Sequence, residues 1–349
     1  MTTSISGIVN RYRPVATISG AFIMLGGADN PFRPSDRALV IQMTGADIDL
    51  SNTQSFGTIR NLGSTGCYEW VTVREIDGAR ITLDRPLRGS FDPDNGRVQI
   101  VLVSAHKGDV VISDKIEAAD WDGTIGGVIA IETDGAIDLL ADVDASAQGF
   151  RGGKPSANGY IFSRLDYVCA ADNEAGQKGE GIASLEDKLR PGRGAAANGG
   201  GGGNAHNAGG GGGGGGGSGG GGGYQLNGTT PMQNGGIGGL ALAKEDRAFL
   251  GGGGGGGHQN DGVAEPGAAG GGIIFLSAAE IRGSAGRAVR ANGGTPPTSR
   301  WDGASGGGGG GTIMLRAKVV SGGFGLEAHG GNGGAAYGGH GPISTNLIS

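Results

Sequence analysis

Five unbroken glycine runs, at 199–203, 209–217, 219–223, 251–257 and 306–311, restrict what this chain can fold into more than any other feature. Glycine loses more backbone freedom on folding than any other residue. A run such as 209–217 is therefore a flexible linker unless neighbouring segments give its amides and carbonyls partners. A collagen fold is excluded, because it places glycine at every third position and these runs have no such period. The glycine is also concentrated: of 82 in a chain of 349 residues, 17 lie in 1–150 and 65 in 151–349.

An extended helix of three residues per turn points its N–H and C=O groups sideways, and without side chains such helices approach closely enough to bond laterally. The runs are accordingly predicted to form one ordered bundle of polyglycine-II-type helices. The competing reading is disordered low-complexity sequence. The interruptions suit turns and tips: Asn204–Asn207, Ser218, Tyr224–Gly228, His258–Asp261 and Thr295–Thr298.

Three segments align as an internal repeat: Gly126–Gly149, Gly271–Gly294 and Gly310–Gly334. Each opens with two glycines, continues through three short apolar strands and returns to glycine. Short strands that cannot bury an apolar side alone are the mark of stacked β-solenoid rungs. A β-meander extending the first domain is the alternative for 106–150. The first hundred residues read differently, as β-branched runs such as Ala38–Met43, Glu69–Ile76 and Arg97–Ser104 bounded by turn residues. Asp77-Gly78 suits a two-residue hairpin turn between two of them. The expected fold is thus all-β. It comprises an N-terminal β-sandwich or barrel for docking or assembly (1–105), β-solenoid-like rungs (106–150), and a glycine-rich polyglycine-helix bundle with interleaved strands and recognition loops (151–349).

Charge divides with composition: residues 1–150 hold 12 Lys+Arg against 20 Asp+Glu, and 151–349 hold 15 against 13. Neither part offers the basic face that a nucleic-acid partner needs. Cys67 and Cys169 are too few and too far apart for a metal motif or disulfide framework, and both are expected to be buried thiols. No apolar stretch is long enough to span a membrane. The start, MTTSISGIVNRYRPVATISG, lacks the charged and apolar regions of a signal peptide. Export within a particle released by lysis is the route that this suggests.

The strings LVIQMTGADID, SFGTIRNLGSTGCYEWVTV, WDGTIGGVIAIETDGAIDLLADVDASAQGFRGG, GQKGEGIA and GRGAAANGGGGGNAHNAGGGGGG resemble the glycine-rich module of large bacterial cell-surface and gliding-associated adhesins. The resemblance runs from about Leu39 through the last glycine tract, and FRGG and ANGGGGGNAHNAGGGGGG are its most specific parts. The tracts alone are also similar to the polyglycine-bundle tips of tailed-phage adhesins. The phage resemblance implies a rigid glycine support with variable loops at its distal end that recognise the host surface. The chain departs from the secreted adhesins in showing neither leader nor sorting domain, which favours the phage tail.

Catalytic signatures are weak. No phosphate loop, dinucleotide fingerprint or nucleophile elbow occurs. The five histidines, at 106, 206, 258, 329 and 340, lack metal-ligand spacing, so no metal or cofactor is expected. His206 and His258 are expected to cap the turns between glycine helices. Asp134, Asp138, Asp142 and Asp144, with Asp120 and Asp122 flanking Trp121, could line a polysaccharide-cleaving groove or hold a cation. A solvated acidic rim is the plainer reading.

Glycine offers only backbone groups that the bundle already uses, so recognition should fall to the turns. Candidate receptor-binding residues are Tyr224, Gln225, Asn227, His258, Gln259, Asn260 and Trp301. Tyr224 and Trp301 lead, since aromatic rings stack on sugars at low entropic cost, although both could instead lie over the bundle edge as lids. The expected function is non-enzymatic: a structural and receptor-binding adhesin of a phage or phage-like tail, located in the virion. The alternative is a bacterial extracellular adhesin or filament subunit, and a polysaccharide depolymerase is a lesser one. Expected partners are other copies of the chain, as a trimer, other tail proteins and a host-surface glycan or protein. Unpaired strand edges motivate the oligomer.

Overall fold

The computed structural model describes residues 2–27, 29–156, 165–169, 174–224, 226–227, 230–242, 244–259, 262–297, 303–333 and 343–347. The molecule is all-β, as its alternating and β-branched runs require. Among the described residues the one helical element is a single 3₁₀ turn, Asp187–Leu189.

Six antiparallel strands close a barrel: Arg11–Ser19, Phe22–Leu25, Arg80–Leu83, Tyr68–Asp77, Arg37–Gln42 and Val98–Leu102, in that order around it. Ile23, Val40, Val71, Ile81, Leu83 and Ile100 fill its interior. The hairpin turn falls on Gly78-Ala79, one residue later than the sequence suggested, because Asp77 pairs with Arg80. Gly78, at φ 58°, supplies the left-handed conformation that the tight turn needs. Strand Arg37–Gln42 is buried on both faces, Ala38 and Val40 inside the barrel and Leu39 and Ile41 outside it, which explains its unbroken apolar run.

The three aligned repeats stack in parallel, residue upon residue. Val128–Thr133 pairs with Ile273–Ser277, which pairs with Thr312–Ala317. Ala136–Leu139, Glu280–Gly283 and Val319–Ser321 form a second column, and Val143–Asp144, Ala288–Arg290 and Gly325–Glu327 a third. Like sits on like: Ile129, Ile274 and Ile313 in one ladder, Ile131, Leu276 and Leu315 in the next. Together with Ile137, Ile281, Val143 and Val289 they make one aliphatic core. Each such side chain contributes roughly 1.5–3 kcal/mol by leaving water. Strand Thr3–Ile8 belongs to this stack rather than to the barrel, running parallel to Val110–Glu117.

The barrel docks on the outer face of the first column. Phe275 there meets Tyr68 and Trp70 of the barrel, with ring centroids 4.7 and 5.9 Å apart. Polar clamps fix the approach. Arg37 donates to both oxygens of Glu132, at 2.6 and 3.2 Å, and the Tyr12 hydroxyl donates to the Val128 carbonyl at 2.7 Å.

The glycine runs are laterally bonded and, apart from 219–223 at the rim and the end of 209–217, buried, but no α-, 3₁₀- or π-helix passes through them. The polyglycine-II helices expected from sequence do not appear as regular helical elements; backbone bonds between separate segments appear instead. Run 251–258 shows the pattern. Gly251, Gly254 and Gly257 donate to Gly271, Ala268 and Glu265. Gly252, Gly255 and His258 donate to Gly214, Gly211 and Ala208, and Gly253 and Gly256 to Glu180 and Gln177. Its carbonyls accept in the same rotation from Gly309 and Gly306, from Gly200 and Gly203, and from Phe150, Gly153 and Ser156. Successive amides thus turn through three neighbours with a period of three, and six segments enclose the run. Glycine is mandatory there: a Cβ built on Gly255 would overlap the Gly201 carbonyl.

Candidate functional site

Two ends of the bundle can be told apart from these bonds. At one end Gly271 and Gly311 lead directly into the rung strands that begin at Ile273 and Thr312. At the other, His258 N–H bonds the Ala208 carbonyl and Gly209 N–H bonds the Gly223 carbonyl. These bonds bring Tyr224 and His258, far apart in sequence, to the same distal end. Tyr224 is exposed there, at 51 % of its accessible surface. His258 is fully buried, at 0 %, with Nδ1 3.1 Å from the Gln259 carbonyl. Burial lowers its pKa, against opposing pulls from the Gln259 and Glu174 carbonyls. It therefore packs within the turn rather than presenting a ring to a ligand.

Gln259 beside it is half-buried. Asn227 lies in the short antiparallel pair Leu226–Asn227 with Thr230–Pro231. Gln225, Asn260 and Trp301 lie outside the described residues. Among the described residues, no helix is long and apolar enough to cross a membrane, and no group of three His, Cys, Asp or Glu could hold a metal ion.

Three acids of the series on the rungs are matched by cations from neighbouring rungs and a fourth by a backbone amide. Asp138 takes two bonds from Arg282, at 2.6 and 2.9 Å, and Asp142 is paired with Arg290, which also reaches Glu327 at 3.0 Å. Asp144 meets Lys115 at 3.2 Å, and Asp134 accepts the Gly108 amide at 2.6 Å. Partial burial opposes ionisation of Asp142, yet the Ala288 amide and Arg290 hold its pKa below the usual range. Asp144 is lowered likewise, burial opposing and the Ser146 hydroxyl and amide prevailing with Lys115. The acids line a ladder of ion pairs across stacked rungs, not a pair of carboxyls aimed at one space.

A second site escaped the sequence reading. A cleft of about 670 Å³ runs along the bundle flank beside Arg151, Lys154, Lys178, Lys188 and Arg190. A smaller one of about 320 Å³ shares Arg151, Lys178 and Arg190 and reaches the barrel at Thr44 and Arg97. Glu180 organises their junction, accepting from Arg151 Nε at 3.1 Å and from Trp121 Nε1 at 3.2 Å. The FRGG and GQKGEGIA strings thus meet here, through Arg151 and Glu180.

Lys178 is 2 % exposed, its Nζ 2.8 Å from the Pro191 carbonyl and 4.8 Å above the Phe56 ring. Burial pushes its ammonium down to about 7, opposed only by the neighbouring Cys169. Cys169 is buried and donates to Asn204 Oδ1 at 3.1 Å, whereas Cys67, expected to be buried, is only partly so. The available signal was Lys178 and Glu180 interrupting a stretch that is otherwise glycine, alanine and glutamine.

No protein-family model and no curated protein sequence matches the chain. Among solved structures it is similar to the tailspike protein gp49 from Pseudomonas phage LKA1, at 13 % identity over 41 % of this chain and 21 % of that one, with a TM-score of 0.20. It is also similar to the Gp54 tailspike of Acinetobacter baumannii bacteriophage AP22, solved in complex with a capsular saccharide, at 11 % identity over 93 % of this chain and 58 % of that one, with a TM-score of 0.20. The chain covers less than two thirds of either neighbour. Similarity at this level leaves fold and site to be argued from the chain's own residues.

Proposed function

We propose that this chain is a structural and receptor-binding protein of a phage or phage-like tail, and that the glycine bundle is the rigid support of a host-recognising tip. The observation that carries the reading is the run 251–258, whose amides and carbonyls engage six surrounding segments with a period of three. That rotation supports reading the runs as extended rods of three residues per turn. A bundle bonded in all directions makes a stiff projection, and the side chains it can present gather where the rods turn. Tyr224 stands exposed at that distal end, with an apolar face and a polar hydroxyl suited to a surface glycan. The resemblance of the glycine strings to bacterial adhesin modules and phage tips points the same way, and the reading includes assembly into a homo-oligomer within the virion.

The test has two parts. Mass spectrometry of purified tail particles is expected to find the chain as a stoichiometric component, and its absence would overturn the reading. In the Tyr224→Ala, Trp301→Ala double variant, with an unchanged melting temperature, adsorption to host cells is expected to fall by at least about tenfold, as for loss of an aromatic anchor. Unchanged adsorption by the folded double variant would remove the tip turns as the recognition surface.

A further inference from the structure

The flank cleft carries more positive charge than its own carboxylates can balance. Five cations line it against two acids, Glu180 and Asp187, in a chain whose formal net charge is −6. Glu180 is occupied by Arg151 through Nε and NH2, at 3.1 and 2.5 Å. Asp187, whose side chain is 99 % exposed, reaches Arg190 Nε at 3.2 Å from the cleft rim. Lys188 is paired with Glu186 at 2.8 Å. Lys154 is exposed and forms no ion pair among the described residues. Lys178, buried in the wall, meets the Arg190 and Pro191 carbonyls and the Phe56 ring but no carboxylate among the described residues. Two lysines on one cleft are therefore without a carboxylate of their own, and Lys154, exposed and charged, is the one free to take an acid from outside.

The rest of the lining selects what would supply the acid. The Gln177 side-chain amide and the Gly152 backbone bring groups suited to hydroxyls, the Gly153 backbone being already bonded within the bundle. The volume of about 670 Å³ lies in the range of small-ligand sites. Trp121 and Phe150 nearby are 3 % and 1 % exposed, so they present no face for stacking a nucleobase. We infer that the cleft beside Arg151, Lys154, Lys178 and Arg190 binds a carboxylate-bearing saccharide, its acid seated on Lys154 and its hydroxyls on the Gln177 side-chain amide and the Gly152 backbone. The inference deepens the proposed host-binding function and rests on it for the source of the sugar.

Calorimetry on the full chain tests it, using oligogalacturonate, hyaluronate oligosaccharides and sialyl-oligosaccharides at low salt. Binding of at least one is expected. Reduction of its carboxyl groups to alcohols should weaken binding about tenfold or more, the usual scale of a hydrogen bond to a charged group. Lys154→Gln, at an exposed position where folding is not at stake, should weaken it several-fold with an unchanged melting temperature. No binding by any of the acidic oligosaccharides at millimolar concentration would overturn the inference, as would equal binding of the carboxyl-reduced form or an unaffected Lys154→Gln. Inorganic phosphate that binds as tightly and displaces the saccharide would also overturn it, in favour of a plain anion site. Particle composition reads the tail proposal separately. A chain found in particles whose cleft binds no acidic sugar defeats this inference alone, and a binding cleft on a chain absent from particles defeats the tail reading alone.

Discussion

The rung core and the glycine bundle are adjacent, similarly dry, and held together by opposite means. In the rungs, Ile129, Ile274 and Ile313 bury side chains against one another, and the backbone bonds run only along the parallel ladders. In the bundle there are almost no side chains, and one run of backbone bonds to six neighbours at once. The first solution is stabilised by apolar area and yields somewhat to a change in volume. The second is stabilised by saturated hydrogen bonding at close approach and has no volume to yield. Removing a methyl group should therefore hurt the rungs a little, and adding one should hurt the bundle badly.

The sharpest way to break that contrast is a matched pair of one-methyl changes. Ile129→Val should cost about 1 kcal/mol, as buried isoleucine truncations do. Gly213→Ala should cost more than about 4 kcal/mol, beyond the ordinary range for point substitutions. Its Cβ would overlap the Gly252 carbonyl and lie 2.9 Å from the Gly309 nitrogen. Denaturant unfolding of the two variants decides it. A smaller cost at Gly213 than at Ile129 would mean that the bundle is loosely packed and the contrast false.

Lys178 tests the seam along the bundle flank. Its ammonium has a pKa of about 7 in the folded chain, against 10.5 ordinarily, and desolvation is the cause. Below pH 7 both folded and unfolded chains hold the proton, and burial of the charge weighs on the fold. Between about 7 and 10.5 the unfolded chain binds the proton and the folded chain does not, so stability rises with pH through that window. Relative to Lys178→Met, which has no charge to bury, the wild type should gain up to about 4 kcal/mol between pH 6 and pH 10, converted at about 1.4 kcal/mol per pKa unit. Parallel pH profiles for the two proteins would place Lys178 in water.

The smallest expected effect locates the rim of the bundle. A Cβ on Gly221 would meet nothing nearer than the Gly236 carbonyl, at 3.9 Å. Gly221→Ala should be neutral or stabilise by about 0.5 kcal/mol, through the reduced freedom of the unfolded chain. A loss comparable with that at Gly213 would show that another surface covers the 219–223 run, as the expected self-association would require.

Much of the rung stack could be read directly, because side chains write its register. The segments aligned at Gly126, Gly271 and Gly310 stack with the offsets of that alignment in the first column, Val128 on Ile273 on Thr312, and within two residues of them in the other columns. The barrel was legible from the same kind of pattern, apart from the one-residue shift of the turn at Gly78. The ion pairs of the acidic series were not, since Asp138 and Arg282 lie 144 positions apart and meet only through the stacking. At the distal end the sequence did not tell the exposed Tyr224 from the withdrawn His258. A histidine beside a glycine run looks the same in sequence whether it faces out or in.

By itself, then, the sequence determined that the chain is β-structured, that its apolar repeats stack, and that its glycine is useless unless bonded laterally. Only the tertiary structure decided which runs neighbour which, that 251–258 is enclosed by six segments, and that Arg151, Lys178, Glu180 and Arg190 converge on one cleft. The physical reason is that a glycine amide has no side chain to mark its partner. Any run can bond any other at the same spacing, so the pairing is chosen by the strands, turns and barrel that hold the ends of the runs in place.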